Sequence, residues 1–192
     1  FERLGEHYYW QPGSLFREIL NGLQSTCREF PDTKACGIDF WGVDHALLLK
    51  DGRLAHPIYA YRDERTLSLI PDAAEARLWY DHTGVNINVY NTNLQLMDTL
   101  RAMPALREVV ESVLFLPNYM NYLLSGKQVT EVSIASTSQM LKLDEAAFDA
   151  ELIEGWGIPA RWFSRPEAAG QLLGNALPAN GLGNLEVALV PG

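Results

Sequence analysis

A glycine and an aspartate two positions apart, Gly42 and Asp44, are the first residues whose types and spacing suggest a ligand site. They follow an apolar, partly alternating run that begins at Ala35 and predicts a strand, and apolar residues resume at 46–49. A glycine at the end of a strand lets a ligand or another backbone approach closely, and a carboxylate beside it is typical of a ligand edge. The alternative is a bulge or a packing position, and the further acid Asp39 does not decide between the two.

A second polar cluster lies where a helix is predicted to begin. Asn91, Thr92 and Gln95 fall in the first turn of this helix or just beyond it. The first N–H groups of a helix lack intrahelical partners, so amide and hydroxyl side chains placed there can hold a polyhydroxylated ligand. The alternative is that these residues only cap the helix.

Two more polar segments each have two interpretations. Residues 61–66 carry Asp63 between Arg62 and Arg65, which predicts either surface ion pairs or a charged clamp that orders a loop at a cleft. Residues 130–140 are rich in serine and threonine, which predicts either a packed turn and strand or a hydroxyl-lined pocket wall. The tendency of these side chains to hydrogen bond to nearby backbone favours packing.

Helices and strands that alternate along the chain would position these residues. The sequence predicts an amphipathic helix after a Ser14 cap, a strand over 35–41 inside a sheet, and a hairpin over 46–60 that turns at Asp51-Gly52. Further helices are predicted at 71–84, 94–103, 105–111, 118–124 and 144–155, with a buried apolar segment at 113–117 and a last strand at 187–190. This order predicts an α/β fold.

Composition limits the partners and the location. The net charge of −9 argues against a nucleic-acid surface, since phosphates are neutralised by clustered lysine and arginine. No apolar run approaches the ~20 residues needed to cross a bilayer, and the first residues lack the order of a secretion signal, so we expect no membrane contact and a cytoplasmic protein. Cys27 and Cys36 have neither a disulfide framework nor metal-ligand spacing, and reduced thiols are expected.

The motifs of the commonest reactions are missing. There is no glycine-rich phosphate loop and no Gly-x-Ser-x-Gly elbow, and the 4 histidines are dispersed. Local chemistry alone therefore names no reaction.

The segment 37–66, GIDFWGVDHALLLKDGRLAHPIYAYRDERT, resembles the rhamnulokinase branch of the FGGY sugar kinases. That branch has a Gly-Ile-Asp-x-Trp-Gly-Val-Asp strand, a hairpin and then Tyr-Arg-Asp-x-Arg-Thr. Three further segments are similar to the family in the same order, namely 89–96, 116–126 and 133–141. The last of these is also close to fuculokinases, which leaves the sugar open.

The resemblance implies an actin-like, ribonuclease-H-type fold of two domains around a cleft, in which a ketose such as L-rhamnulose or L-fuculose is phosphorylated with ATP and magnesium. Residues 1–192 would be part of the N-terminal, sugar-binding domain. The first phosphate-binding strand would precede Phe1, the catalytic aspartate would follow Gly192 in a His-Asp-Thr motif, and the ATP domain would come later. We therefore expect no catalytic residue, no metal site and no bound ATP in this segment, and no phosphoryl transfer by it alone.

The resemblance also assigns roles to residues. Gly42 is expected to contact the sugar through its backbone, Asp44 to lie near the cleft, and Asp63 to order a loop rather than to touch substrate. The polar helix start is assigned to the sugar side through Asn91, Thr92 and Gln95. His45 and Leu94 stand where the family often has an aromatic residue and a tyrosine, so the pocket rim is expected to differ from a strict rhamnulose site.

Two alternatives of other classes stay open. The chain could belong to a noncatalytic sugar-binding or regulatory module derived from such a kinase, or it could be a purely structural α/β domain. The oligomeric state is not predicted.

Overall fold

A computed structural model describes residues 1–192 as a mixed α/β fold with short strands. The strands are β1 (Glu2–Leu4), β2 (His7–Tyr9), β3 (Ala35–Gly37), β4 (His45–Leu49), β5 (Val110–Phe115), β6 (Leu172–Asn175) and β7 (Glu186–Ala188). The helices are α1 (Pro12–Glu29), α2 (Ala73–Thr83), α3 (Thr92–Ala102), α4 (Leu106–Val109), α5 (Leu116–Ser125), α6 (Val132–Ser136) and α7 (Ala150–Gly155). None of the helices combines the length and apolar character that a bilayer-spanning helix requires.

The antiparallel pair β4 and β5 separates two apolar cores. Successive side chains of a strand point to opposite faces, so Leu47 and Val113 face one core while Leu48 and Leu114 face the other. The first core continues into Leu96, Leu100, Ile134, Met140, Ile153 and Trp162. The second core continues into Ile58, Met120, Leu124, Ala176, Leu185 and Val187. The strand pair is therefore held from both sides, and β4 starts directly after the Gly42 and Asp44 segment.

The predicted strand over 35–41 is shorter than expected, and it lies at an edge. It ends as β3 at Gly37 and pairs with β7 alone, in a sheet of order β3-β7-β6. The prediction of an internal strand was therefore wrong for these residues. The chain leaves the sheet because it bends into an elbow at 41–43, where Val43 adopts a left-handed conformation with φ of 66°.

The predicted hairpin over 46–60 forms only next to its turn, where the Leu49 N–H donates to the Arg53 carbonyl and the Ala55 N–H donates to the Leu47 carbonyl. The turn at Asp51-Gly52 forms, but only an isolated bridge joins Leu48 to Leu54, and the main partner of β4 is β5. The segment 113–117, which was predicted to be buried, supplies three buried apolar side chains of β5: Val113, Leu114 and Phe115.

Helix ends with a clear chemical signal were predicted well. Asp72 caps α2, Gly84 ends it in the left-handed conformation, and Gly126 ends α5 in the same way. Helix starts were less certain. The Ser14 cap is not used, because α1 starts at Pro12, and α7 is capped by Asp149 instead of the predicted Asp144.

Asp72→Ala is expected to lower the free energy of unfolding by about 1 kcal/mol, because the Asp72 side chain accepts from two backbone N–H groups of α2. Asp144→Ala is the matched control, since that exposed aspartate caps no helix in the structure. Urea unfolding of both variants measures the difference, and equal destabilisation of the two would show that the cap contributes nothing.

Candidate functional site

A cavity of about 640 Å³ opens at the elbow that follows β3. Its wall combines aromatic, aliphatic, amide and hydroxyl side chains with one glycine: Trp41, Gly42, Val43, Tyr61, Val85, Asn86, Asn88, Tyr90, Asn91 and Thr137. No carboxylate, histidine, lysine or arginine is among them. Such a wall suits a small neutral molecule that has both hydroxyl groups and an apolar face.

Gly42 lies in the cavity wall, where Thr137 packs so closely against it that only a glycine fits. A Cβ atom at this position would lie 2.6 Å from Thr137 Oγ1, which leaves no room for a side chain. The next residue, Val43, donates its N–H to Thr137 Oγ1 at 3.2 Å, and its carbonyl accepts from Thr92 Oγ1 at 2.7 Å. These two bonds hold the left-handed Val43, which is an unfavourable conformation for a β-branched residue.

Asn91 is the second predicted residue that lines the cavity. It is the N-cap residue of α3, but its side chain makes no cap hydrogen bond. Its amide donates instead to the Asn86 carbonyl at 2.9 Å and to Gln139 Oε1 at 3.0 Å, and Gln139 in turn donates to the Val85 carbonyl. Asn91 therefore occupies the predicted cap position without a side-chain cap bond, and its side chain ties the loop 85–90 to the start of α3.

Thr92 and Gln95 lie behind the wall rather than in it. Both side chains are buried, and neither borders the cavity. Thr92 bonds to the Val43 carbonyl, while the Gln95 amide donates to the Tyr90 carbonyl at 2.9 Å and to Asp44 Oδ1 at 3.3 Å. They support the elbow and the loop that form the wall.

Asp44 is fully buried, and it does not border the cavity either. Its Oδ2 accepts from Trp10 Nε1 at 2.5 Å, Trp41 Nε1 at 3.0 Å and the Tyr61 backbone N–H at 3.2 Å. Burial raises the pKa of this carboxyl to about 6, because the desolvation cost of the charge outweighs the hydrogen bonds that stabilise it. The placement gives Asp44 a supporting position behind two wall residues.

Asp63 orders a loop, as the sequence resemblance implied, and the expectation of surface ion pairs was wrong. The buried carboxylate accepts from the backbone N–H groups of Tyr8 at 2.8 Å and Arg65 at 3.0 Å, and it lies 3.2 Å from the His7 ring. Arg65 turns away from it and pairs with Asp98 of α3 at 2.7 Å.

The serine- and threonine-rich segment satisfies both of its interpretations. Ser136 and Ser138 donate to backbone carbonyls three residues earlier, as expected for packing. Thr137 also donates to the Ile134 carbonyl, and it borders the cavity directly beside Gly42. The segment forms a short helix, α6, instead of the expected strand.

Several wall residues were not predicted as site residues. Trp41 and Tyr61 lie inside the sequence motifs that carry the family resemblance, so those motifs were a usable signal. The polar positions Asn86 and Asn88 gave none. Their loop is held at the cavity by a local bond from Asn91 to the Asn86 carbonyl and by a long-range bond from Gln139 to the Val85 carbonyl.

The burial of Asp44 predicts a pH dependence of stability. Because the pKa of Asp44 is raised from 3.8 to about 6 in the folded protein, the folded state binds this proton more tightly than the unfolded state. The stabilising contribution is therefore complete below the unfolded pKa and is lost as pH rises through the folded one. The free energy of unfolding, measured against Asp44→Asn by urea unfolding, should fall by about 3 kcal/mol between about pH 4 and pH 7. Parallel profiles of the two proteins would contradict this.

The structure brings no three histidine, cysteine, aspartate or glutamate side chains together to hold a metal ion. The cavity as described can bind a ligand, while an acid, a base or a metal for a reaction would have to come from outside its wall.

Comparison with known families gives one direct match. The model described as the N-terminal domain of the FGGY family of carbohydrate kinases matches residues 5–186. A rhamnulokinase of Pectobacterium atrosepticum is 38% identical over 173 residues, which is 88% of this chain and 35% of that protein. A rhamnulokinase of Bacteroides thetaiotaomicron is 35% identical over 197 aligned positions, which is 98% of this chain and 40% of that protein. The chain thus spans 35–40% of the length of these relatives.

Solved structures share the fold at much lower sequence identity. A ligand-bound xylulose kinase from Lactobacillus acidophilus superposes with a TM-score of 0.86 at 17% identity, over 99% of this chain and 41% of that one. A glycerol kinase from Plasmodium falciparum, solved with ADP, superposes with a TM-score of 0.81 at 13% identity. The match covers 100% of this chain and 41% of that one. These similarities confirm the predicted actin-like α/β fold.

Proposed function

Because the chain belongs to the FGGY family of carbohydrate kinases, we propose that it forms the sugar-binding part of an ATP-dependent kinase for a ketose such as L-rhamnulose or L-fuculose. The names of the relatives at 35–38% identity support a rhamnulokinase-like protein. The whole activity is proposed for the complete gene product, because the chain covers 35–40% of those relatives.

The observation that carries the proposal is the uncharged cavity at Gly42. A ketose offers hydroxyl groups to amide and threonine side chains and carbon–hydrogen faces to aromatic rings, and the cavity wall contains both kinds of group. Gly42 and Asn91 border the cavity and are proposed to contact the sugar. Asp44, Thr92 and Gln95 are proposed to hold the wall that surrounds it.

The catalytic base, ATP and magnesium are proposed to be supplied by parts of the gene product other than residues 1–192. In phosphoryl transfer a base accepts the proton of the attacking hydroxyl while electrostatic groups stabilise the transferring phosphoryl group. The wall residues of this chain contribute by holding the sugar in one orientation and by displacing water from its apolar face.

The test is ADP formation by the complete gene product, measured with L-rhamnulose, L-fuculose, xylulose, gluconate and glycerol in the presence of ATP and magnesium. We expect the highest kcat/KM with L-rhamnulose or L-fuculose. Absence of ADP formation with every acceptor would contradict the proposal.

A noncatalytic sugar-binding module is the second candidate, supported by a cavity wall that offers binding groups and carries no carboxylate, histidine, lysine or arginine. Calorimetric binding of a ketose by the complete gene product, without ADP formation, would support this candidate over the kinase. Phosphoryl transfer by residues 1–192 alone would contradict our assignment of the base to another part of the protein.

A further inference from the structure

The Asp44 carboxylate joins four separate segments of the chain. Its donors are Trp10, which follows β2, Trp41 of the elbow, the backbone of Tyr61, and Gln95 of α3. Two of these residues, Trp41 and Tyr61, also border the cavity. One buried acceptor therefore sets the position of two wall residues relative to each other.

Ring stacking fixes the orientation of Trp41 from a second direction. The Trp10 and Trp41 rings stack with centroids 4.3 Å apart, and the Trp41 and Phe40 rings stack at 4.7 Å. Stacking leaves a ring free to slide in its own plane, whereas a hydrogen bond from Nε1 fixes that motion. Asp44 supplies the hydrogen bond to both tryptophans.

All four donors require an acceptor, and an ionised carboxylate has only acceptor positions. A protonated carboxyl group would have to donate its own proton, and the only acceptor on the four partner groups is Gln95 Oε1, which would face Asp44 only if the Gln95 amide turned and gave up its donor bonds to Asp44 and to the Tyr90 carbonyl. Protonation would therefore displace at least one partner. An asparagine has a single acceptor oxygen, so its amide nitrogen would face either the three donors at the Oδ2 position or the Gln95 donor at the Oδ1 position, and at least one partner would again be lost.

We propose that Asp44 is a positioning residue of the sugar site, which holds Trp41 and Tyr61 in the geometry that binds sugar without touching the sugar itself. The inference rests on the proposed function, and it goes beyond it by making the segment that carries Trp10 part of the site. It also assigns the role of Asp44 to its charge state rather than to its shape.

The surroundings of Asp44 support a simple pH dependence. Among the groups that shift the pKa of Asp44 to about 6, burial comes first and the four donors follow, with no charged side chain. The neighbouring His45 is also buried, and its pKa falls to about 3, so it stays neutral across the range in which Asp44 ionises. Leu116 contributes only its backbone N–H, to the Asp44 carbonyl.

The experiment compares the complete gene product with its Asp44→Asn variant in the presence of ATP. We expect the sugar KM to rise roughly tenfold, as for the loss of one hydrogen bond to a charged group, while the ATP KM changes less than about twofold. The wild-type sugar KM should also rise as pH falls below about 6, whereas the Asp44→Asn value should be high and flat across that range.

Two more variants separate positioning from general destabilisation. Asp149→Asn changes another buried, hydrogen-bonded aspartate that does not border the cavity, and its sugar KM should stay at the wild-type value. Trp10→Phe keeps a stacked ring but removes one donor to Asp44, and the sugar KM should rise roughly two- to fivefold. Trp10→Phe also tests the inference if Asp44→Asn does not fold.

The inference would be overturned if the wild type is active and Asp44→Asn has the same sugar KM. If Asp44→Asn does not fold, an unchanged sugar KM in Trp10→Phe would overturn it instead. A rise in KM shared equally by Asp149→Asn would overturn it too, because the effect would then be general. An inactive wild type with no sugar binding would instead overturn the proposed function, which keeps the two failures distinct.

Discussion

Replacing Gly42 by valine in the complete gene product is expected to lower kcat/KM for the sugar by roughly 100-fold or more, since the new side chain has no room. Its Cβ atom would lie 2.6 Å from Thr137 Oγ1 and 2.9 Å from two Thr137 carbon atoms. Thr137 cannot move freely, because its hydroxyl accepts from Val43 N–H and donates to the Ile134 carbonyl. Either the elbow or Thr137 must shift, and both form the cavity wall.

Initial rates at varied sugar concentration measure this loss, with the ATP KM as an internal reference. Gly42→Ala should give a smaller loss of the same sign, because alanine carries the clashing Cβ atom but no further groups. Gly22→Ala is the matched control, since a Cβ atom at that exposed position of α1 meets nothing within 4 Å. A Gly42→Val protein with wild-type kcat/KM would mean that the sugar binds elsewhere.

The position of Gly42 in the site could be predicted from the sequence because the reason is local. A glycine that interrupts an apolar run leaves a signal in the chain itself, and the Trp-Gly-Val-Asp motif of the family strengthens it. The predicted role of Asn91 had the same basis in the start of a helix. A pocket wall was one interpretation of the serine- and threonine-rich segment, but nothing local singled out Thr137, whose bond to Val43 spans 94 residues. Asn86 gave no sequence signal as a wall residue.

The burial of Asp44, Thr92 and Gln95 could not be predicted for a related reason. A carboxylate or amide near a ligand edge is as compatible with direct contact as with a position one layer behind it. What decides between them is the number of donors that the rest of the fold brings to the same place. Trp10 and Tyr61 lie 34 and 17 residues from Asp44 along the chain, and nothing local predicts that both reach it.

Strand pairing shows the same division between local and long-range information. The ends of α2 and α5 followed from single residues, Asp72, Gly84 and Gly126. The partner of β4 did not, because an Asp-Gly turn favours a local hairpin while the buried run at 110–115 offers a larger apolar surface. The turn forms and β4 also pairs with β5, so the part that was missed is a long-range pairing that no local signal specifies.

The buried pair of Arg65 and Asp98 connects the loop that carries Tyr61 to α3. The Arg65 side chain is 4% exposed, its Nη1 atom lies 2.7 Å from Asp98 Oδ2, and its guanidinium lies 3.8 Å from the centre of the Tyr59 ring. The Nη2 atom of Arg65 is buried without a hydrogen-bond partner. Asp98 is thus the only carboxylate that balances this buried cation.

Asp98→Ala is therefore expected to lower the free energy of unfolding by about 3–5 kcal/mol, because the change leaves the Arg65 charge buried and unpaired. Asp81→Ala is the matched control. It breaks an exposed ion pair between Asp81 and Arg77, both in α2, and the free energy of unfolding is expected to fall by less than about 1 kcal/mol. Urea unfolding of the two variants measures the difference, and similar losses would show that burial adds nothing.

A double substitution separates the cost of an unpaired charge from the contribution of the pair itself. Arg65→Met together with Asp98→Ala removes both charges and keeps an apolar chain beside Tyr59, so about half or more of the stability lost in Asp98→Ala should return. Its sugar KM should nevertheless stay above that of the wild type, because the loop would keep its packing but lose the directional bond that orients it toward α3. Equal stability of the single and double variants would mean that Arg65 reaches water once its partner is gone, and that the pair secures the loop by geometry rather than by charge.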